Sequence, residues 1–205
     1  MTSFEIRGGC FYRHGRPFIK TTAYGSGDYL ITLPEDYVLD LDKNLYLRAG
    51  FTCAEYWPRW REVNPADGVW NLQPLRTLLE RARRMGIAVF IHFDPSPPKW
   101  MSKKYGWYVL TETGRKLLIP VGGMVPHDEN YIREMDNYVK HIIDIVREYD
   151  DVVADYWLCG EKWVLMTEFK EVTIEGVRED ASYDDLTVSK FRKWLKGQFS
   201  LEELG

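Results

Sequence analysis

The stretch from Val152 to Trp163, Val-Val-Ala-Asp-Tyr-Trp-Leu-Cys-Gly-Glu-Lys-Trp, constrains the fold more than any other part of the chain. A β-branched and aromatic run of this kind favours a strand covered on both faces. It breaks at Gly160, where the backbone is free to turn, and delivers one carboxylate, Glu161, between Trp157 and Trp163. Parallel sheets carry their chemistry at the carboxyl ends of strands, so an acid in this position is a candidate catalytic group. Apolar neighbours such as these indoles and Cys159 raise a carboxyl pKa, which a general acid needs. The alternative is a rim glutamate paired with a lysine or arginine.

Other segments set this strand in an alternating order. Phe4-Glu5-Ile6 and Cys10-Phe11-Tyr12 read as a hairpin, and Phe18 to Tyr24 as the first core strand, with Gly25-Ser26-Gly27 as a flexible connection. A short helix capped by Asp40 or Asp42 places Leu41, Leu45 and Ala49 on one face before Gly50. Phe51 to Tyr56 is the next strand, followed by a long loop to Asn71. A helix from Pro74 aligns Leu75, Leu78, Leu79, Ala82 and Met85 and stops at Gly86. The run Ile87 to Phe93 is apolar enough to be buried on both sides. A long irregular stretch after Trp100 ends at Asp128, a helix cap, and Tyr131, Met135, Tyr138, Ile142, Ile145 and Tyr149 then recur at helical spacing. After the Glu161 strand, a last helix from Asp185 buries Val188, Phe191, Trp194 and Leu195 before Gly197.

Strand and helix thus alternate, the pattern of an α/β fold with a parallel sheet. No GxGxxG or GxxxxGK[ST] sequence follows the first strand, which argues against a nucleotide-binding doubly wound sheet. Long aromatic loops at strand carboxyl ends favour a (β/α)8 TIM-barrel type. A complete barrel takes about 250 residues, and the 205 residues supply about four βα units, a first half. The expected organisation is an N-terminal β-hairpin cap over 1–17 and a partial barrel over 18–205.

Composition narrows the partners. A net charge of −4 without a basic patch gives no electrostatic case for nucleic acid. Cys10, Cys53 and Cys159 are far apart with no metal-ligand spacing, so neither metal nor other cofactor is expected, and reduced thiols suit a cytoplasmic protein. No run reaches membrane length and the amino terminus does not read as a signal peptide. The chain has 8 Trp and 13 Tyr, a surplus of rings of the kind found on carbohydrate-binding surfaces.

Several motifs resemble one family. Trp60-Arg61-Glu62-Val63-Asn64-Pro65-Ala66-Asp67-Gly68-Val69-Trp70 is similar to the W-x-x-x-E-P-x-x-G-x-Y loop of barrel glycoside hydrolases related to β-galactosidase family 42. Pro97-Pro98-Lys99-Trp100-Met101 is similar to that family's proline-proline-x-tryptophan-leucine segment after its third strand. Tyr131-Ile132-Arg133-Glu134 resembles the start of its third helix, and Trp157 to Glu161 falls where the family has tryptophan and then asparagine-glutamate. Phe191-Arg192-Lys193-Trp194-Leu195 with Leu201 to Gly205 resembles a later helix and its continuation.

The resemblance implies a retaining glycosidase with Glu161 as acid/base. That chemistry needs a second carboxylate about 5–5.5 Å away as nucleophile. In the family it is a glutamate on the seventh strand, beyond the strands counted here; Asp94 and Glu55, at the ends of strands three and two, read better as substrate or rim ligands. Two departures bear on activity. Gly160 replaces the asparagine that binds the sugar 2-hydroxyl, and no arginine lies between Arg115 and Arg133, where the family carries one. Trp57, Trp60, Trp100 and Trp163 are candidate sugar platforms, and His92 and Asp94 candidate hydroxyl ligands. Each tryptophan also suits rim packing, and His92 a satisfied core histidine. Expected partners are a carbohydrate, with neither nucleic acid nor membrane, and a second copy or chain to complete the barrel. The competing expectation is a carbohydrate-binding or assembly remnant without turnover.

Overall fold

The computed structural model describes residues 4–111, 113–118, 128–157, 172–174, 177–179 and 185–200. The chain divides into two compact units, one of 1–64, 68–94 and 137–160, the other of 65–67, 95–136 and 161–205.

The first unit opens with an antiparallel sheet, β1 (Phe4–Arg7), β2 (Cys10–Arg13) and β3 (Arg16–Pro17). The expected hairpin is present, turned at Gly8 and Gly9, whose φ values of 58° and 78° suit glycine. Phe18 to Tyr24, expected as the first core strand, is not a strand. The Thr52 and Cys53 amides both donate to the Thr21 carbonyl at 3.1 Å. The Thr21 amide is taken by Thr52 Oγ1 at 3.0 Å, and the Thr52 amide also reaches Thr21 Oγ1 at 3.1 Å. Threonine hydroxyls replace the backbone ladder and end the pairing there.

Three short helices follow, α1 (Ser26–Thr32), α2 (Glu35–Val38) and α3 (Leu45–Arg48). The expected flexible connection at Gly25-Ser26-Gly27 is instead the start of α1. The helix expected from Asp40 or Asp42 begins later, because Asn44 caps it: Oδ1 accepts from the Tyr46 amide at 2.9 Å and Nδ2 donates to the Val38 carbonyl at 2.6 Å. Tyr46 and Val38 are consequently the buried residues, while Leu41 and Leu45 are 68% and 60% exposed.

The core then assembles from β4 (Cys53–Tyr56), the short α4 (Trp60–Val63), α5 (Gln73–Met85) and β5 (Ala88–His92). All five residues read as the α5 stripe are buried, and Gly86 ends the helix at φ 73°. After β5 come α6 (Lys99–Tyr105), β6 (Tyr108–Leu110), β7 (Lys116–Leu118) and α7 (Glu129–Val146). A 3-10 turn over Arg147–Tyr149 leads into β8 (Val153–Trp157). The parallel sheet has the order β4-β5-β8. Three parallel strands are therefore paired among the described residues, where the sequence suggested four.

The sheet has two unlike faces. Ala54, Tyr56, Val89, Ile91 and Phe93 form an apolar outer face, against which α1 and α5 pack. Cys53, Ala88 and Phe90 form a cluster on the inner face, joined by Phe4, Phe18 and Ala154. Arg13 ties the N-terminal sheet to the amino ends of the strands by donating to the Gly86 carbonyl at 2.6 Å and the Asp151 carbonyl at 3.3 Å.

In the second unit, α6 ends at Gly106 (φ 68°) and β6 pairs antiparallel with β7, so part of the stretch read as irregular is regular. Asp128 caps α7 as expected, Oδ1 accepting from the Asn130 and Tyr131 amides at 2.8 and 3.1 Å. The strands β9 (Val172–Ile174) and β10 (Val177–Glu179) form a hairpin. The last helix, α8 (Asp185–Gln198), runs through Gly197 instead of stopping before it. Phe191 and Trp194, expected to be buried, are 56% and 54% exposed and stack on each other at 6.0 Å. No helix among the described residues is long and apolar enough to cross a membrane.

Candidate active site

The carboxyl ends of β4, β5 and β8 bring together residues far apart in sequence. Register fixes which of them share a face: Glu55 lies beside Phe90, Phe90 beside Asp155, and His92 beside Trp157. A one-residue shift between Val89 and Phe90 leaves Ala154 as an extra residue on β8. This bulge carries Asp155 and Trp157 onto the inner face with Phe90 and His92, and bulges of this kind re-aim side chains next to functional sites.

Glu55 is buried at the level of Phe90. Its amide donates to Ser26 Oγ at 2.9 Å, and its Oε1 accepts from Trp57 Nε1 at 2.8 Å. Gly27 makes this packing possible: a Cβ there would stand 2.5 Å from the Glu55 carbonyl oxygen and 2.9 Å from Tyr56 Cβ. Any side chain at 27 would push α1 away from β4.

His92 is the centre of the cluster. Its ring is stacked between two indoles, Trp57 at 4.7 Å and Trp157 at 4.2 Å. It is only 2% exposed, and neither ring nitrogen has a hydrogen-bond partner; Nε2 stands 3.4 Å from Glu55 Oε1. Burial pushes its pKa down to about 4, with Asp155 pulling upward and Lys20 downward, so the imidazole is neutral at physiological pH. Asp155 pairs with Lys20 through Oδ2, and the Lys20 ammonium also lies over the rings of Phe11 and Phe90 at 4.8 and 5.4 Å. Asp155 Oδ1 has no hydrogen-bond partner. Nearby Cys53 is an inert thiol, raised to about 12 by burial.

The residues singled out from the sequence divide clearly. Trp57 and His92 come together as described. Asp94 follows β5, half-buried, its amide donating to the Tyr138 hydroxyl at 3.2 Å, which in turn donates to the Pro58 carbonyl at 2.6 Å. Trp60 has no exposed surface. Its ring stacks on Tyr138 at 5.1 Å and packs the loop into the core, so it offers no platform to a sugar. Trp100 belongs to the second unit, on α6, with the Lys104 ammonium 5.4 Å from its ring. Glu161 and Trp163 lie outside the described residues, as does Gly160. Sequence reasoning missed Lys20, Asp155 and the stacking of Trp157 on His92. The strand periodicity put Asp155 and Trp157 on a common face, but only the bulge determines which face. Among the described residues no group of three or more His, Cys, Asp or Glu side chains is placed to hold a metal ion.

Comparison with known proteins gives a consistent picture. A family model described as β-galactosidase, glycoside hydrolase 42, matches residues 42–205. No curated protein matches. Among solved structures, the chain is similar to a β-galactosidase from Bacillus circulans sp. alkalophilus, with 16% identity and a TM-score of 0.56 over 90% of this chain and 24% of that one. It is likewise similar to a β-galactosidase from Rahnella sp. R3, with 15% identity and a TM-score of 0.58 over 91% of this chain and 25% of that one. A catalytic mutant of a GH42 β-galactosidase from G. stearothermophilus gives 16% identity and a TM-score of 0.59, over 88% and 24%. The chain thus spans about a quarter of the length of these solved chains, and at such identities the likeness is one of fold.

Proposed function

Because the chain belongs to the β-galactosidase family, glycoside hydrolase 42, we propose that it forms the first part of a (β/α)8 barrel that hydrolyses β-galactosides. Glu161, four residues beyond the end of β8 in sequence, is the acid/base, and the sugar lies at the carboxyl ends of β4, β5 and β8. The observation that carries this reading is the family match across 42–205, over strands whose carboxyl ends gather two indoles, a carboxylate and a neutral imidazole. Indole faces stack on the apolar side of a sugar ring, and buried carboxylates accept from its hydroxyls. The attacking carboxylate comes from outside these 205 residues, from further chain, a second polypeptide or a second copy set against the sheet edge. Free thiols at Cys10 and Cys53 fit the proposed cytoplasmic setting.

A second reading, sugar binding without turnover, is favoured by two departures in the sequence. Gly160 stands where the family has asparagine, and no arginine lies between Arg115 and Arg133. Each lost hydrogen bond to developing charge removes about 1.5–3 kcal/mol of transition-state stabilisation.

Hydrolysis of chromogenic β-galactosides by the chain together with the polypeptide that supplies the attacking carboxylate, with and without Glu161→Gln, separates the two. Turnover abolished by the substitution supports the enzyme. Turnover that survives it removes Glu161 from its role. A folded chain that is thermally protected by galactose, and that cleaves nothing even when further chain or a second copy supplies the attacking carboxylate, is a binding remnant.

A further inference from the structure

We infer that Tyr138, a fully buried residue of α7, is a positioning residue for carbohydrate: its hydroxyl clasps together the loops that leave β4 and β5 and so sets the separation of Trp57 and Asp94. The inference rests on the carbohydrate reading above and adds to it a residue that touches no ligand.

Geometry carries the assignment. The Tyr138 hydroxyl donates to the Pro58 carbonyl at 2.6 Å and accepts from the Asp94 amide at 3.2 Å, so one oxygen joins the residue after Trp57 to the residue that carries the Asp94 carboxylate. Both loops are poor in donors of their own. Pro58 and Pro95 have no N–H, and the turn around Pro58 closes between its flanking residues, the Arg59 amide donating to the Trp57 carbonyl at 2.7 Å. The buried Pro58 carbonyl therefore needs a partner from elsewhere, and α7 supplies it. The ring that carries the hydroxyl is itself fixed, stacked on Trp60 at 5.1 Å and set edge-on to Phe93 at 6.0 Å. Trp60 lies just beyond Trp57, and Phe93 just before Asp94. Each chain segment thus meets Tyr138 twice, once through a ring and once through the backbone.

Position is what this clasp controls. Trp57 stacks on His92 at 4.7 Å and donates to Glu55 Oε1 at 2.8 Å, which orients its ring, while its backbone runs directly into Pro58. In the carbohydrate reading Trp57 offers a ring face and Asp94 a hydroxyl acceptor. A sugar that uses both needs them at one fixed separation, and a misplacement of about 1 Å can cost up to about 100-fold. Tyr138→Phe isolates the effect. The ring keeps its contacts with Trp60 and Phe93, and the bonds to the two loops are lost.

The test is calorimetric titration of the 205-residue chain with galactose, for wild type, Tyr138→Phe, Asp94→Ala, the double variant and Leu78→Ala. Each is first shown to be folded by circular dichroism, and exchange of the Asp94 amide is followed by NMR without ligand. Tyr138→Phe is expected to speed that exchange about tenfold and to weaken galactose binding about tenfold, the equivalent of one hydrogen bond. Asp94→Ala weakens binding by itself. Adding Tyr138→Phe to it costs less than the product of the two single losses, because the clasp acts through Asp94. Leu78→Ala lowers the urea midpoint further than Tyr138→Phe does and leaves galactose affinity unchanged, the behaviour of a purely structural residue. Affinity unchanged by Tyr138→Phe, losses that multiply in the double variant, or unaltered exchange at Asp94 each overturn the positioning role while the carbohydrate reading stands. A folded wild type with no response to galactose removes the carbohydrate reading, and the positioning role with it.

Discussion

The two faces of the β4-β5-β8 sheet are built to opposite rules. The outer face is apolar throughout and lies against helices, with Ile91 and Val89 fully buried and Phe93 set edge-on to Tyr138 at 6.0 Å. The inner face is apolar only near the amino ends of the strands, where Cys53, Ala88 and Phe90 meet Phe4 and Phe18. Toward the carboxyl ends it changes to Glu55, His92, Asp155 and Lys20 among indoles. Burying such groups without full satisfaction costs stability. A sheet that keeps one face closely packed can carry that cost on the other, so the outer face holds the fold and the inner face is where the proposed chemistry is placed.

This contrast predicts a graded set of effects. The largest loss falls on the helix side. Leu78→Ala, at a position with no exposed surface on α5, should cost about 3 kcal/mol of unfolding free energy in urea denaturation. A comparable loss comes from acid on the inner face. His92 has a folded-state pKa near 4 against 6.5 in the unfolded chain, so the unfolded state binds the extra proton between those values. The stability held by the neutral ring is complete above pH 6.5 and is lost as pH falls toward 4, by about 3 kcal/mol in all. Urea midpoints across that window should flatten in His92→Gln; an unchanged slope would place the pH dependence elsewhere. Gly27→Ala should cost about 2 kcal/mol, because the new methyl meets the Glu55 carbonyl oxygen and the buried Tyr56 side chain, neither of which is free to swing away. Asp155→Asn should cost no more than about 1 kcal/mol, the Lys20 pair being partly solvated. Trp194→Ser on the exposed face of α8 should shift the thermal midpoint least, within about 0.5 kcal/mol.

The outer side of this sheet was the part most legible in the sequence. The α5 stripe from Leu75 to Met85, its Gly86 terminator, the continuously buried β5 and the Asp128 cap all follow from periodicity and capping, which are local signals. The misreadings arose where side chains compete with the backbone or where a contact is long-range. Thr21 and Thr52 replace a strand ladder with hydroxyl bonds, and Asn44 moves a helix start past Asp40 and Asp42. At Gly27 the requirement for glycine comes from β4, 28 residues further on, so the sequence around it reads as a loop. The inner face was half legible. Trp57 and His92 could be placed at strand ends by counting. Trp60, three residues on from Trp57 in the same aromatic loop, turns inward against Tyr138, a distinction that tryptophan content alone does not make. Asp155 required the bulge, which leaves no mark in a run of apolar residues.

Hydrogen exchange with and without galactose, followed peptide by peptide, tests the division of labour between the two faces most directly. The account predicts that galactose protects the amides of 53–57, 90–94 and 153–157 while leaving α5 at its own slow rate. Protection confined to other segments such as 185–200, or none in a folded chain at saturating sugar, would contradict it.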